Sequence, residues 1–350
     1  MMTGYAPEKT GIYTFGHWDR ESREFLPVEA SDIVTPAVWD MASLAGLKTA
    51  VINVPMTYPV HEVNGIMVSG LMTPTQVGDR KTFVLDAKPI RGSGGDSFSP
   101  VLGASVDHHA NRFEFRLSDS SDDGTNNYDK VAVTANTGGS PFSFKIDLGV
   151  FSDWMKIDYS VRGKPGKAWC KVRVLPTGDP GRPFVAHFSR ILFATGDTDV
   201  AFTYPDTLAK VLQREFEYYF PSKFLDRAIV PEYTRDSVRW ATYFYGYDDW
   251  DLYFYVFTQT DNIQHIEGVS PTTLDVYQQI DRFIMSIIET LPRNTTLVVA
   301  SDHGFKYHEW GFDLNRFFAQ IDLLTYREDD QIDFERSLVF HNMWCLYFNR

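Results

Sequence analysis

Asp261 with His265, and further along Asp302 with His303, are the residues whose types and spacing can do chemistry. Carboxylate oxygen and imidazole nitrogen are the donors that a divalent transition metal prefers. Asp261 and His265 stand at i and i+4, which puts both side chains on one side of a helical turn. Asp302 and His303 are neighbours, so they can share an ion only from an irregular turn, which Gly304 permits. Either pair alone is as well explained by a cap or a surface contact. Two such pairs on matching strand ends predict a two-metal site. Two ions roughly 4 Å apart clamp the attacking and leaving oxygens of a phosphoryl transfer and lower the pKa of a hydroxyl nucleophile.

The elements that must position these residues are legible around them. Leu252-Tyr253-Phe254-Tyr255-Val256-Phe257 runs into the first pair, and Thr296-Leu297-Val298-Val299-Ala300 runs into the second. Continuous apolar runs of this kind read as buried parallel strands. Between them, residues 272–290 carry Leu274, Tyr277, Ile280, Phe283, Ile284 and Ile287 at helical spacing, with Pro271 ahead and Pro292 beyond. Strand, helix and strand make a βαβ unit, whose right-handed crossover keeps the strands parallel. Both pairs are therefore expected on the carboxyl edge of one sheet, where open α/β sheets bind ligands.

Upstream, a helix is expected over 36–47, a strand over 48–54, a rigid loop over 55–59 and a short apolar piece over 65–70. Near residue 90 the pattern changes. After Gly92-Ser93-Gly94-Gly95 come strand-like segments at 112–117, 130–134, 142–148 and 169–175. Turn signals at Asp123-Gly124 and Gly163-Lys164-Pro165-Gly166 separate them. Helical patterns return over 206–219 and 234–245. The expected fold class is α/β, a mainly parallel sheet with flanking helices plus a β-rich insertion. The expected organisation is 1–88 and 201–350 as two parts of an α/β catalytic domain, with 89–200 as the insertion or cap.

A chain of 350 residues, 43% hydrophobic and 15% aromatic, can bury a large core. Its formal net charge of −13 disfavours a nucleic acid polymer as partner, since like charges repel. A small phosphorylated substrate stays open, because bound dications would reverse the sign locally. Cys170 and Cys345 are the only cysteines, which leaves no disulfide framework or thiolate zinc site. A cytoplasmic setting fits this and the start of the sequence, which shows no signal-peptide pattern; no run is long enough to span a bilayer. Oligomeric state has no readable signal. His308 and His341 read as surface or supporting residues, and His17, His61, His108, His109 and His187 have no ligand spacing. The cluster Trp240, Tyr243, Phe244, Tyr245, Tyr247 and Trp250 reads as core and cap packing.

The residues also carry a resemblance. Asp261-x-x-x-His265 followed by Ser301-Asp302-His303-Gly304 resembles the type I phosphodiesterase/nucleotide pyrophosphatase branch of the alkaline phosphatase superfamily, especially its predicted phosphohydrolase/phosphomutase members. Thr3 to Ile12 resembles that family's TG-x-x-P-x-x-HG-I segment, with Thr10 where histidine is usual. Asn53-Val54-Pro55-Met56-Thr57-Tyr58-Pro59, Asn64 to Gly70 and Asp249-Trp250-Asp251-Leu252 resemble its other strand and loop pieces. The resemblance implies an alkaline-phosphatase-like fold and metal-dependent hydrolysis of phosphate esters, phosphodiesters or nucleotide pyrophosphates. It implies two divalent ions, zinc or manganese. Asp261 and His265 would bind one together with a histidine near the C-terminus, and Asp302 and His303 the other together with an aspartate on a first strand. The family's threonine or serine nucleophile, that aspartate and the final histidine have no matching positions here. The expectation is therefore a chain incomplete at both ends and without its catalytic nucleophile. A phosphomutase or sulfatase relative, and a non-catalytic binding protein on the same scaffold, are the alternatives.

Overall fold

The computed structural model describes residues 2–91, 99–121, 127–161, 164–179, 181–197, 200–221 and 225–348. The breaks expected at Gly92-Ser93-Gly94-Gly95, at Asp123-Gly124 and at Gly163 lie outside the described residues. The chain forms two compact units. One combines Met1–Thr73, Ala201–Leu208 and Thr234–Arg350; the other combines Pro74–Val200 and Ala209–Tyr233.

In the first unit the strand Thr49–Val54 is buried along its whole length, as its Thr-Ala-Val-Ile-Asn-Val sequence requires of a strand covered on both faces. It pairs in parallel with Gly65–Ser69 on one side and with Leu252–Tyr255 on the other. Thr203–Tyr204 adds an antiparallel edge, so the order is Thr203–Tyr204, Gly65–Ser69, Thr49–Val54, Leu252–Tyr255. The molecule is mixed α/β with a parallel-containing sheet, and the other described sheets are antiparallel. Behind the last strand, Pro271–Thr290 forms the long helix that its spacing predicts. The Ser270 hydroxyl caps it, accepting from the Thr273 backbone N–H at 3.1 Å, and Pro271 occupies the first turn.

Two expectations fail here. The segment 296–300 is not a strand: it lies outside regular structure, with Val298 77% and Val299 66% exposed. A parallel strand draws its backbone hydrogen bonds only from a neighbour, and a β-branched run without one gains nothing from being extended. Leu252–Tyr255 is accordingly the edge of this sheet among the described residues. The long helix also buries only part of the apolar face its spacing marks: Phe283 and Ile287 are covered, but the marked residues near its start are not. Thr273, Val276, Gln279, Phe283 and Ile287 are buried, whereas Leu274 and Tyr277 are exposed. Apolar residues sit on two sides of this helix, and among the described residues Leu274, Tyr277, Met285 and Ile288 stay exposed on the uncovered side.

The second unit is antiparallel. Its largest sheet runs Phe142–Asp147, Lys130–Asn136, Asn111–Ser118, Leu102–His108, Lys88–Pro89. Asn111–Ser118 shows the period of two at full strength: Phe113, Phe115 and Leu117 are buried while Arg112, Glu114 and Arg116 face solvent. These residues share a core with Val131, Val133, Ile157, Val172 and Phe188. The strand expected over 169–175 is split at Lys171 into Lys164–Cys170 and Val172–Pro176, which belong to different sheets. Lys171 is buried, and its ammonium reaches both Glu232 carboxylate oxygens at 2.7 Å and the Ser152 carbonyl at 2.9 Å. No helix among the described residues is long and apolar enough to cross a membrane.

Candidate functional site

Asp261 and His265 take their places from the sheet. Strand Leu252–Tyr255 runs beside Thr49–Val54 with Tyr253 opposite Ala50, and the Val256 N–H still donates to the Ile52 carbonyl at 3.2 Å. The chain then turns at Thr258 into the helix Gln259–Glu267, so Asp261 falls in the first turn of a helix leaving the carboxyl edge of a parallel pair. A carboxylate in a first turn is favoured by the helix dipole. Gln259 fixes the entry: it is buried, and its side-chain amide donates to the Ser237 hydroxyl at 2.7 Å. On the helix, His265 Nε2 stands 3.3 Å from Asp261 Oδ1, the i and i+4 contact that the spacing predicts. Asp261 is partly covered and His265 mostly open.

The adjoining strand end is strained. Asn53 has φ +63° and is buried, and its side-chain amide donates to the Val256 carbonyl at 2.8 Å. That bond ties together the carboxyl ends of the two parallel strands. A methyl group on Gly70 would lie 2.2 Å from the Asn53 carbonyl oxygen, so only glycine fits beside this bend. Met56, three residues on, has φ +58°. Left-handed residues other than glycine persist only where their surroundings over-determine them, and they cluster at ligand sites. Positive φ has no pattern in a bare sequence, so nothing beyond the resemblance could mark Asn53.

Asp302 and His303 sit in an exposed loop that is closed on itself. The His303 N–H donates to Asp302 Oδ1 at 3.1 Å, His303 Nε2 is 3.5 Å from Asp302 Oδ2, and the Ser301 hydroxyl donates to the His303 carbonyl at 2.6 Å. The loop nevertheless reaches the first pair through aromatic rings. Phe305 meets the His265 ring edge-on at 5.9 Å, and Tyr307 packs on Phe305 at 5.3 Å. Tyr307 fits because residue 268, just past the helix, is glycine: a methyl group there would stand 2.0 Å from Tyr307 Cε2.

The four donors are of the right chemistry for zinc or manganese. Among the described residues, however, no three His, Cys, Asp or Glu side chains form a group able to hold an ion. Each pair supplies two donors where a held ion takes three or four, so the residues described do not complete a metal centre. His341 is held by its backbone, its N–H donating to the Asn315 side chain at 2.7 Å, and His308 is exposed. Three histidines without ligand spacing in the sequence do have carboxylates beside them: His61 Nε2 is 2.7 Å from Asp40, His17 is 3.8 Å from Asp32 and His187 Nε2 is 3.9 Å from Asp226. Thr10 is buried, and its hydroxyl is spent locally on the Pro7 carbonyl at 3.3 Å.

A family model described as type I phosphodiesterase/nucleotide pyrophosphatase matches residues 1–343, which takes in both Asp-His pairs and the strand edge that carries the first. The chain belongs to this family. Comparison with curated proteins and with solved structures gave no match. Phosphodiesterase/pyrophosphatase-type hydrolysis is thus the general chemistry of the scaffold on which Asp261, His265, Asp302 and His303 stand.

Proposed function

We propose that this phosphodiesterase-family chain acts on a small phosphorylated substrate, a phosphate ester, phosphodiester or nucleotide pyrophosphate, at the carboxyl edge of its parallel strands. In this reading Asp261 and His265 serve one divalent ion and Asp302 and His303 a second, zinc or manganese in each case. The observation that carries it is the Asp261–His265 pair in the first turns after a parallel strand, inside the stretch that matches the family. The described donors do not complete either shell. What the chain's own residues supply is placement. The Asn53 amide bond locks the strand ends, Gln259 anchors the helix start, and the Phe305–Tyr307 rings hold the second pair's loop against His265.

The test is turnover of bis(p-nitrophenyl) phosphate with added zinc or manganese. Asp261→Asn, which keeps size and helix, is expected to lower kcat/KM by roughly a hundredfold or more, as loss of a group acting on developing charge does. Undiminished turnover in that variant would remove Asp261 from the site. A non-catalytic binding protein is favoured by one observation, the exposure of Asp302 and His303 away from any strand. Metal or nucleotide binding by calorimetry, with no hydrolysis by the unaltered chain, would select that second reading.

A further inference from the structure

Within the antiparallel unit, a cleft of about 760 Å³ opens beside the edge strand Phe142–Asp147, in the size range of small-ligand sites. One wall is aromatic. Phe142 and Phe144, two residues apart on one face of that strand, lie nearly parallel at 6.1 Å, and Phe151 stands in the segment that follows. Deeper, Trp154 and Trp169 are almost fully buried against Phe220 and Tyr218 at 4.8 and 5.3 Å, which fixes the floor. The Trp169 indole N–H donates to Asp197 at 2.5 Å, while that of Trp154, in a residue only 8% exposed, has no partner.

The charges on the rim decide what fits. Lys130, Lys145 and Lys156 face Asp147, Asp153 and Glu217, so the lining is neutral in sum. Lys130 is paired with Asp147 and Lys156 with Asp197. Lys145, Asp153 and Glu217 carry no ion pair or side-chain hydrogen bond among the described residues, which leaves one cationic donor and two anionic acceptors turned to solvent. Glu217 is also strained: it follows the helix Thr207–Phe216 with φ +64°, a position where glycine is the usual residue. A left-handed glutamate on a cleft is the kind of outlier that function maintains.

We propose that this cleft is a binding site for a neutral oligosaccharide. A phosphate or other anion would meet Asp153 and Glu217, and a wholly apolar ligand would strip Lys145, Asp153 and Glu217 of water without replacing their hydrogen bonds. A sugar ring offers hydroxyls that donate to the carboxylates and accept from the ammonium, together with C–H groups that pack against the half-buried Phe142 and Phe144 rings lining the cleft. The cleft is lined by residues of the antiparallel unit alone, and its occupancy is tested without reference to the Asp-His pairs.

The experiment is calorimetric titration of the full chain with cellohexaose, maltohexaose and chitohexaose in turn. Saturable binding of at least one is expected, weakened about tenfold in Phe144→Ala through loss of a ring contact. Glu217→Gly removes the carboxylate while giving the backbone the residue its φ prefers, so it is expected to weaken binding with no loss of thermal stability. Circular dichroism of both variants shows that they fold. If none of the three sugars titrates, or if either folded variant binds as tightly as the parent, the site is not this one. Saturation by inorganic phosphate or by an extended octapeptide in place of the sugars also overturns the proposal.

Discussion

His108 shows how much one side chain can say that its spacing does not. It ends a strand of the antiparallel unit, buried between the rings of Phe83 and Phe188 at 5.3 and 4.6 Å, and its Nε2 has no hydrogen-bond partner. Burial, reinforced by the neighbouring His109 and Lys81, pushes its pKa down from 6.5 to about 4. Above pH 6.5 the imidazole is neutral whether the chain is folded or not, and stability is unaffected. Between 6.5 and about 4 the unfolded chain takes up a proton that the folded one refuses, so stability falls as pH falls, by about 3 kcal/mol across the window. Denaturant titrations from pH 7 to 4 are expected to show that decline, and His108→Leu to flatten it. An unchanged slope in the variant would place the acid sensitivity elsewhere. Reading the sequence gave His108 no role because only burial creates one. Asp261 and His265 were readable for the opposite reason: a contact four residues apart on a helix is local, and needs nothing but the helix.

Elements were legible where the chain supplies its own partner. The strand Asn111–Ser118 and the helix Pro271–Thr290 meet their expectations because hairpin neighbours and helical turns lie nearby in sequence. The segment 296–300 does not, and the placement of Asp302 and His303 on the sheet edge failed with it. Composition alone gives the segment its strand character, while a parallel strand exists only if another strand accepts it. The difference can be measured. In the exposed position observed, Val298→Lys is expected to change stability by no more than about 0.5 kcal/mol and to reduce self-association in light scattering, since exposed apolar β-prone segments invite pairing between copies. A loss of several kcal/mol would show instead that Val298 is buried in a strand, because an unpaired charge would then be forced into the core. The break at Lys171 was equally unreadable: an alternating run gives no sign that its middle residue turns inward to Glu232.

At the scale of the molecule, each unit has a core of its own, Trp39, Val51, Val54 and Met67 in one and Phe113, Phe115, Val131 and Phe188 in the other. Scanning calorimetry is therefore expected to resolve more than one transition, and a single peak with equal calorimetric and van't Hoff enthalpies would refute it. The outline of the second unit, from Pro74 and including Ala209–Tyr233, rests on contacts that no local pattern announces. The bond from Asn53 to Val256 joins residues 203 positions apart. Each doubling of a loop adds only about 0.6 kcal/mol to its closure, so such a junction is tolerable at equilibrium. Its consequence is chronological. On a ribosome adding roughly 5–20 residues per second, the strand Thr49–Val54 is made about 10–40 s before the strand that covers its flank, because 203 residues intervene. For that interval the nascent polypeptide carries a mainly apolar strand, buried in the finished fold, without its later neighbour. The cell that makes this protein must shield it.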